Sequence, residues 1–173
     1  MSIRTVFMIL IVWILLLISI SLHAESPFRS SYIVTSEYHS TTGKGGERRN
    51  NLHEGIDLWC LDPIIFSALP GKVVKVIQDL IYGKNVTIEH YYDIGKGKEI
   101  FYTFYAHGSK IYYSASGEVT TNTAIMRMGT TGYSSGDHLH FGAFRIVAGE
   151  KIYFDPSIIL EMEEGVIEIK RGL

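Results

Sequence analysis

The sequence predicts an all-β domain, a compact antiparallel sandwich or open barrel, preceded by an apolar N-terminal signal or anchor helix. Three observations predict it. Short runs rich in β-branched and aromatic residues recur at close intervals. Turns bearing Gly71, Gly83, Gly95, Gly97 and Gly117 separate them. Long helical periodicity is confined to the N-terminal region. At 173 residues the chain is long enough for one domain with a proper core and too short for two large ones.

The N-terminal element comes first. From Val6 to Ile20 the run "VFMILIVWILLLISI" carries no charge, Arg4 precedes it, and "SISLHAES" follows with Ala24 at a cleavage position. This is the layout of a secretory signal peptide. The run is long for a signal core, and Leu22 is large for the residue two before the cut. An uncleaved membrane anchor through residues 6–22 is therefore the alternative, with the Arg4 side cytoplasmic. Either way the rest of the chain is expected outside the cytoplasm, in the periplasm or cell envelope. The organisation expected is a signal or anchor over 1–24, one domain over 25–160 and an acidic C-terminal extension over 161–173.

Within the domain, "SYIVTSEY" has strand character at Tyr32 to Val34, and the glycine-rich, charged stretch Ser40 to Asn51 reads as a surface loop. The strand-like runs "GIDLW", "PIIFSA", "KVVKVIQ", "NVTIEHYY", "EIFYTFYA", "AIMRMG" and "LHFGAFRI" follow in order. The net charge of −2 includes no basic excess and no charge block, so neither a nucleic-acid partner nor an interaction tail is expected. A monomer is expected. Cys60 is the only cysteine, which excludes an intramolecular disulfide. Between Trp59 and Leu61 it reads as a buried apolar residue.

Chemistry is concentrated in the histidines. In "GYSSGDHLHFGAF", His138 and His140 are two residues apart, so in a strand they share a face. In "NLHEGIDLW", His53 and Asp57 are four apart, a spacing that lets an imidazole and a carboxylate converge. His53, Asp57 and one of His138 and His140 would supply three ligands and leave a fourth position open, the arrangement of a catalytic zinc. The other histidine of the pair could then handle protons beside the metal. His107, ending a β-like run beside Gly108, could reach into a cleft and stabilise an oxyanion. His90 reads as a strand-end or partly buried structural residue, and His39 stays unassigned. Asp137 serves either to orient an imidazole or to form a turn.

Together these motifs resemble the LytM- and lysostaphin-type zinc metallopeptidases that cut peptidoglycan cross-bridges. The resemblance rests on "HEGID" at His53 to Asp57, "YAH" at Tyr105 to His107, "GTTGYSSGDHLHF" at Gly129 to Phe141 and "DP" at Asp155 and Pro156, in that order. "ALPGKVVKV" and "KNVTIEH" resemble the strands between the first two motifs, so most of Ile33 to Pro156 is covered. It implies a β-rich fold of the duplicated hybrid motif type with a groove across the site. It implies one Zn2+ held by His53, Asp57 and His140, with His107 and His138 as catalytic histidines. The implied activity is hydrolysis of peptide bonds in peptidoglycan by metal-activated water, with His138 the leading general base.

Departures from the pattern are Gly142 where glutamate is usual, Gly108 where leucine is usual, and a longer, more charged segment from Thr35 to Asn51. They bear on groove shape and substrate preference. Two other readings compete: a relative that binds wall peptides or activates another hydrolase without cutting, and a structural zinc site recruiting Cys60 or His39 as a fourth ligand.

Overall fold

The computed structural model describes residues 24–41, 52–93, 98–114 and 116–160. The expected signal or anchor, Ala24 excepted, lies outside the described residues, as do most of the loop 40–51 and the extension 161–173.

Eleven strands and one short helix make up the described chain: β1 (Tyr32–Ser36), β2 (Gly55–Cys60), β3 (Ile64–Phe66), β4 (Gly71–Asp79), β5 (Gly83–Asp93), β6 (Lys98–Gly108), β7 (Lys110–Ile111), β8 (Glu118–Val119), β9 (Ala124–Arg127), β10 (Leu139–Val147), β11 (Glu150–Phe154) and α1 (Ser157–Leu160). Every pairing is antiparallel. One sheet runs β1-β2-β10-β6-β5-β4-β8 with β11 also paired to β10, and a second runs β3-β9-β7. The large sheet ends at β1 and β8, so the described residues form no closed barrel.

Period-two alternation explains the layering. On β6, Phe101, Thr103 and Tyr105 face inward, and on β10 Leu139, Phe141 and Ala143 do the same. They pack with Leu58, Val73 and Ile88 of the large sheet and with Ile65, Ile125 and Met126 of the small one in a single core. The alternate residues, Phe104, Ala106 and Phe144, form a separate small cluster with Tyr82, Tyr102 and Tyr153 on the far face of the large sheet. That far face carries the site.

Three details differ from expectation. The strands β7 and β8 are two residues long, too short to leave a pattern. The β10–β11 hairpin was not anticipated, because its two-residue turn is Ala148-Gly149 with positive φ at both positions. Such turns usually carry Asn or Asp ahead of the glycine, and alanine there gives no sequence signal. His90 is corrected from the strand end to the strand interior: β5 continues to Asp93, and His90 pairs with Phe101 and is fully buried.

His90 is held as a neutral ring. Its Nδ1–H donates to the Pro70 carbonyl at 2.8 Å, and its Nε2 accepts from the Thr103 hydroxyl at 2.7 Å. Burial pushes its pKa down to about 4, outweighing the opposing hydrogen bond. The unfolded chain protonates this residue near the ordinary value of 6.5. The neutral ring's stabilisation is therefore complete above that value and is lost as pH falls towards 4, by up to about 3 kcal/mol. Thermal melts across this window should fall more steeply for the wild type than for His90→Gln, and equal slopes would refute the assignment.

Candidate metal centre

Strand pairing brings two of the proposed ligands together. Ile56, Leu58 and Cys60 of β2 face the core, which turns Asp57 to the far face. On β10 the same alternation turns His140 outward between Leu139 and Phe141. Register then sets His140 directly opposite Asp57 on one side and Ala106 on the other. His53 stands just ahead of β2, and its backbone carbonyl accepts the His39 amide at 2.9 Å.

The three functional groups converge. His53 Nε2 lies 3.0 Å from Asp57 Oδ1 and 2.9 Å from His140 Nδ1, and His140 Nδ1 lies 3.1 Å from the same carboxylate oxygen. All three residues are buried. The His53 Nδ1–H donates to the Glu37 carbonyl at 2.9 Å, so its Nε2 presents a lone pair to the cluster. One proton on His140 Nδ1 can bridge only one of the facing acceptors at a time, whereas a cation between them satisfies all three. Tetrahedral zinc at ordinary ligand distances separates its ligand atoms by about 3.3 Å. A few tenths of an ångström of expansion would accommodate it. Two imidazoles and a carboxylate are also the donor types zinc takes.

Electrostatics favour the ligand-ready forms. Burial alone would raise the Asp57 carboxyl, but the His140 and His53 rings beside it hold it well below the usual carboxylate range. Burial pushes the His140 imidazole down, against the pull of Asp57, which keeps it neutral. An ionised carboxylate and a neutral imidazole are what a metal requires.

His107 and His138 stand beside this group. The His138 Nδ1–H donates to the Gly136 carbonyl at 2.8 Å, leaving Nε2 at 3.6 Å from Asp57 Oδ1. The His107 Nδ1–H donates to the Thr131 carbonyl at 2.9 Å, and the His107 ring lies 4.8 Å from His138 and 5.9 Å from His140 between centroids. Burial pushes the His107 pKa down to about 4, despite the Thr131 hydrogen bond. All five residues singled out in the sequence are thus drawn to one place. The suggested extra ligands are not: Cys60 faces the core beside Ser30, and exposed His39 stacks on Tyr38. Asp137 is exposed, and it is the Gly136 carbonyl that orients His138.

Glycines let the strands close on the site. A Cβ at Gly55 would lie 2.6 Å from the Phe141 carbonyl oxygen and 2.8 Å from His140 Cε1. A Cβ at Gly108 would lie 2.2 Å from the Met126 methyl, the end of a flexible side chain, and 3.3 Å from the Arg127 carbonyl oxygen.

Sequence reasoning overlooked two residues here, Glu54 and Tyr82. The Tyr82 hydroxyl donates to Glu54 Oε2 at 3.1 Å, its ring lies 5.7 Å from that of His140, and its carbonyl accepts the His107 amide at 2.9 Å. Glu54 reads as an unremarkable filler within "HEGID", and Tyr82 sits in a turn with no chemistry of its own.

An antiparallel β-protein with a buried His-Asp-His candidate metal centre, flanked by two further imidazoles, defines the class. The chain belongs to peptidase family M23, whose pattern matches residues 51–156. It is 28% identical over 116 residues to an uncharacterized metalloprotease of Buchnera aphidicola, covering 66% of this chain and 29% of that one. The chain thus spans less than a third of that relative. Its fold is similar to that of a zinc-containing peptidase from Vibrio cholerae (TM-score 0.60, 21% identity, 83% of this chain and 40% of that one). It is also similar to lysostaphin from Staphylococcus simulans (TM-score 0.62, 21% identity, 82% and 55%).

The contact at Gly55 yields a test. Gly55→Ala should displace the His140 ring and weaken metal binding by roughly 10- to 100-fold, the usual cost of misplacing a ligand's support. Chelator competition measures it, with circular dichroism checking that the fold persists. Undiminished affinity would show that the ring tolerates the added methyl.

Proposed function

We propose that this chain is a zinc-dependent endopeptidase that hydrolyses peptide bonds in peptidoglycan stem peptides or cross-bridges, acting outside the cytoplasm as a monomer. Secretion by the N-terminal segment, or anchoring through residues 6–22, belongs to the same reading. One observation carries the reading: the His53, Asp57 and His140 donor atoms converge within 3.1 Å while His107 and His138 flank them. A binding-only relative has no need of the two flanking imidazoles.

His53, Asp57 and His140 would hold a single Zn2+. When bound, zinc supplies Lewis acidity, lowering the pKa of water and polarising the scissile carbonyl. The chain's own residues then manage protons and position. His138 is fixed through Nδ1 on the Gly136 carbonyl, so its Nε2 serves as the acceptor for the water proton and later returns it to the leaving amine. His107, fixed through Nδ1 on Thr131, is neutral at rest. It becomes a donor to a developing oxyanion only when its Nε2 carries a proton. With ring centroids 4.8 Å apart, two imidazolium charges would repel, so at most one of the two rings carries a second proton at a time.

Purified residues 25–173 should bind about one zinc per chain and cut purified peptidoglycan. His138→Ala should keep the metal and lower kcat by roughly 10²- to 10⁴-fold, whereas His140→Ala and Asp57→Ala should lose the metal. If His138→Ala emptied the site and His140→Ala did not, the assignment within the pair would be reversed. Full activity after metal stripping would sink the mechanism. Mass spectrometry of the released wall fragments identifies the bond.

A further inference from the structure

Beside the candidate metal centre, the far face of the large sheet carries Glu54 among aromatic rings, and further along it Glu89 accepts the Tyr102 hydroxyl at 2.9 Å. Glu54, between His53 and Gly55, is half-buried and accepts the Tyr82 hydroxyl at 3.1 Å. Burial and then the charge of Glu54 push the Tyr153 phenol up to about 12. Tyr82 meets Phe104 edge-on at 4.8 Å, Tyr153 lies 5.6 Å from Phe144, and Tyr102 stacks on Phe144 at 5.0 Å. A carboxylate offers about four acceptor positions, and the Tyr82 phenol occupies one of them.

Two further features bear on what such a surface takes. Gly142 has no side chain, so the floor between His140 and Phe104 stays low: a Cβ there would sit 3.8 Å from His140 Nε2 and from Phe104 Cβ. The platform also already holds one ammonium. The Lys151 Nζ lies 4.3 Å from the centroid of the Phe144 ring, and the charge of Glu54 reaches it. Aromatic rings with an anionic group at their edge attract cations through both the ring quadrupole and the full charge.

We propose that Glu54, framed by Tyr82 and Tyr153, is a specificity-determining residue that binds a primary ammonium group of the substrate next to the scissile bond. The proposal rests on the peptidase reading and narrows its substrate class to amine-bearing peptides. The ammonium can come from a diamino side chain or from the α-amine of a peptide end. Neutral or acylated groups at that position gain nothing from the subsite.

The test uses the zinc-loaded protein and matched peptides around the bond it cuts. One carries a side-chain amine beside that bond, one an α-amine, and each has an N-acetylated counterpart. Glu54→Gln keeps the shape and removes the charge. It should raise KM for the recognised amine peptide about 10-fold, a loss of about 1.4 kcal/mol, with kcat within about twofold. KM for the acetylated peptide should not change, and the wild type should already show the same 10-fold preference between the two forms. The amine peptide whose preference disappears identifies the source of the ammonium. Tyr82→Phe, which keeps the charge and loosens its hold, should produce a smaller loss in the same direction.

Equal effects of Glu54→Gln on amine and acetylated peptides, or a loss confined to kcat, would overturn the proposal and leave Glu54 a structural residue. If the wild type cuts neither form, the peptidase reading fails on its own, and calorimetric binding of the intact peptides decides the subsite. Tighter binding of the amine form, lost in Glu54→Gln, supports it. Equal binding of both forms overturns it.

Discussion

Two imidazole nitrogens and a carboxylate oxygen held 2.9–3.1 Å apart in a buried pocket are the constraint around which this structure is arranged. Away from water, such acceptors repel one another unless protons or a cation lie between them. The surrounding fold does not relieve the crowding by letting a side chain swing away. It fixes each one: Asp57 and His140 by cross-strand register, and His53 by the Glu37 carbonyl. A site held against its own repulsion is preorganised for a cation, since little reorganisation remains to be supplied on binding.

Backbone carbonyls decide which nitrogen each ring presents. Glu37, Thr131 and Gly136 take the Nδ1 protons of His53, His107 and His138, so three Nε2 atoms are free to serve the site. His140 works from the opposite nitrogen, its Nδ1 facing Asp57. The arrangement carries strain. His107 has φ of 65°, a conformation that costs a non-glycine residue about 1–3 kcal/mol. The Tyr82 carbonyl on its amide and the Thr131 carbonyl on its ring hold it there, so turn and loop together aim one imidazole at the centre.

The sequence showed the ladder better than the furniture around it. Eight of the strands announce themselves through β-branched and aromatic runs, because alternation against a core leaves a period-two trace. The Ala148-Gly149 hairpin left none, since its turn depends on backbone angles that alanine does not advertise. Among the site residues, His53 with Asp57 and His138 with His140 were legible as spacing, because strand geometry turns short separations into proximity. His107 was legible as a strand-end histidine able to reach a cleft, but its place beside the others came from the family resemblance, since its approach depends on β6 pairing with β10. Glu54 and Tyr82 are 28 residues apart and meet only across the folded sheet, beyond the reach of local pattern.

The two histidines of "HLH" are supported differently, and this difference bears on how they would divide the chemistry. His140 lies inside a ladder, between Asp57 and Ala106, with neighbours on both sides. His138 precedes that ladder at an isolated bridge to Gly129, and its ring is tied by the Gly136 carbonyl and weakly by Ser134 Oγ at 3.4 Å. A metal ligand gains from the first kind of support, since lost geometry is lost affinity. A proton carrier must reach first a water and then a leaving amine, positions that do not coincide, and it gains from the second. The His138 Nε2 lies 3.6 Å from Asp57 Oδ1, close to the spacing of zinc ligands, so its looser support rather than its distance sets it apart from His140. Local rigidity therefore favours the same split that the family resemblance implies, on grounds independent of it.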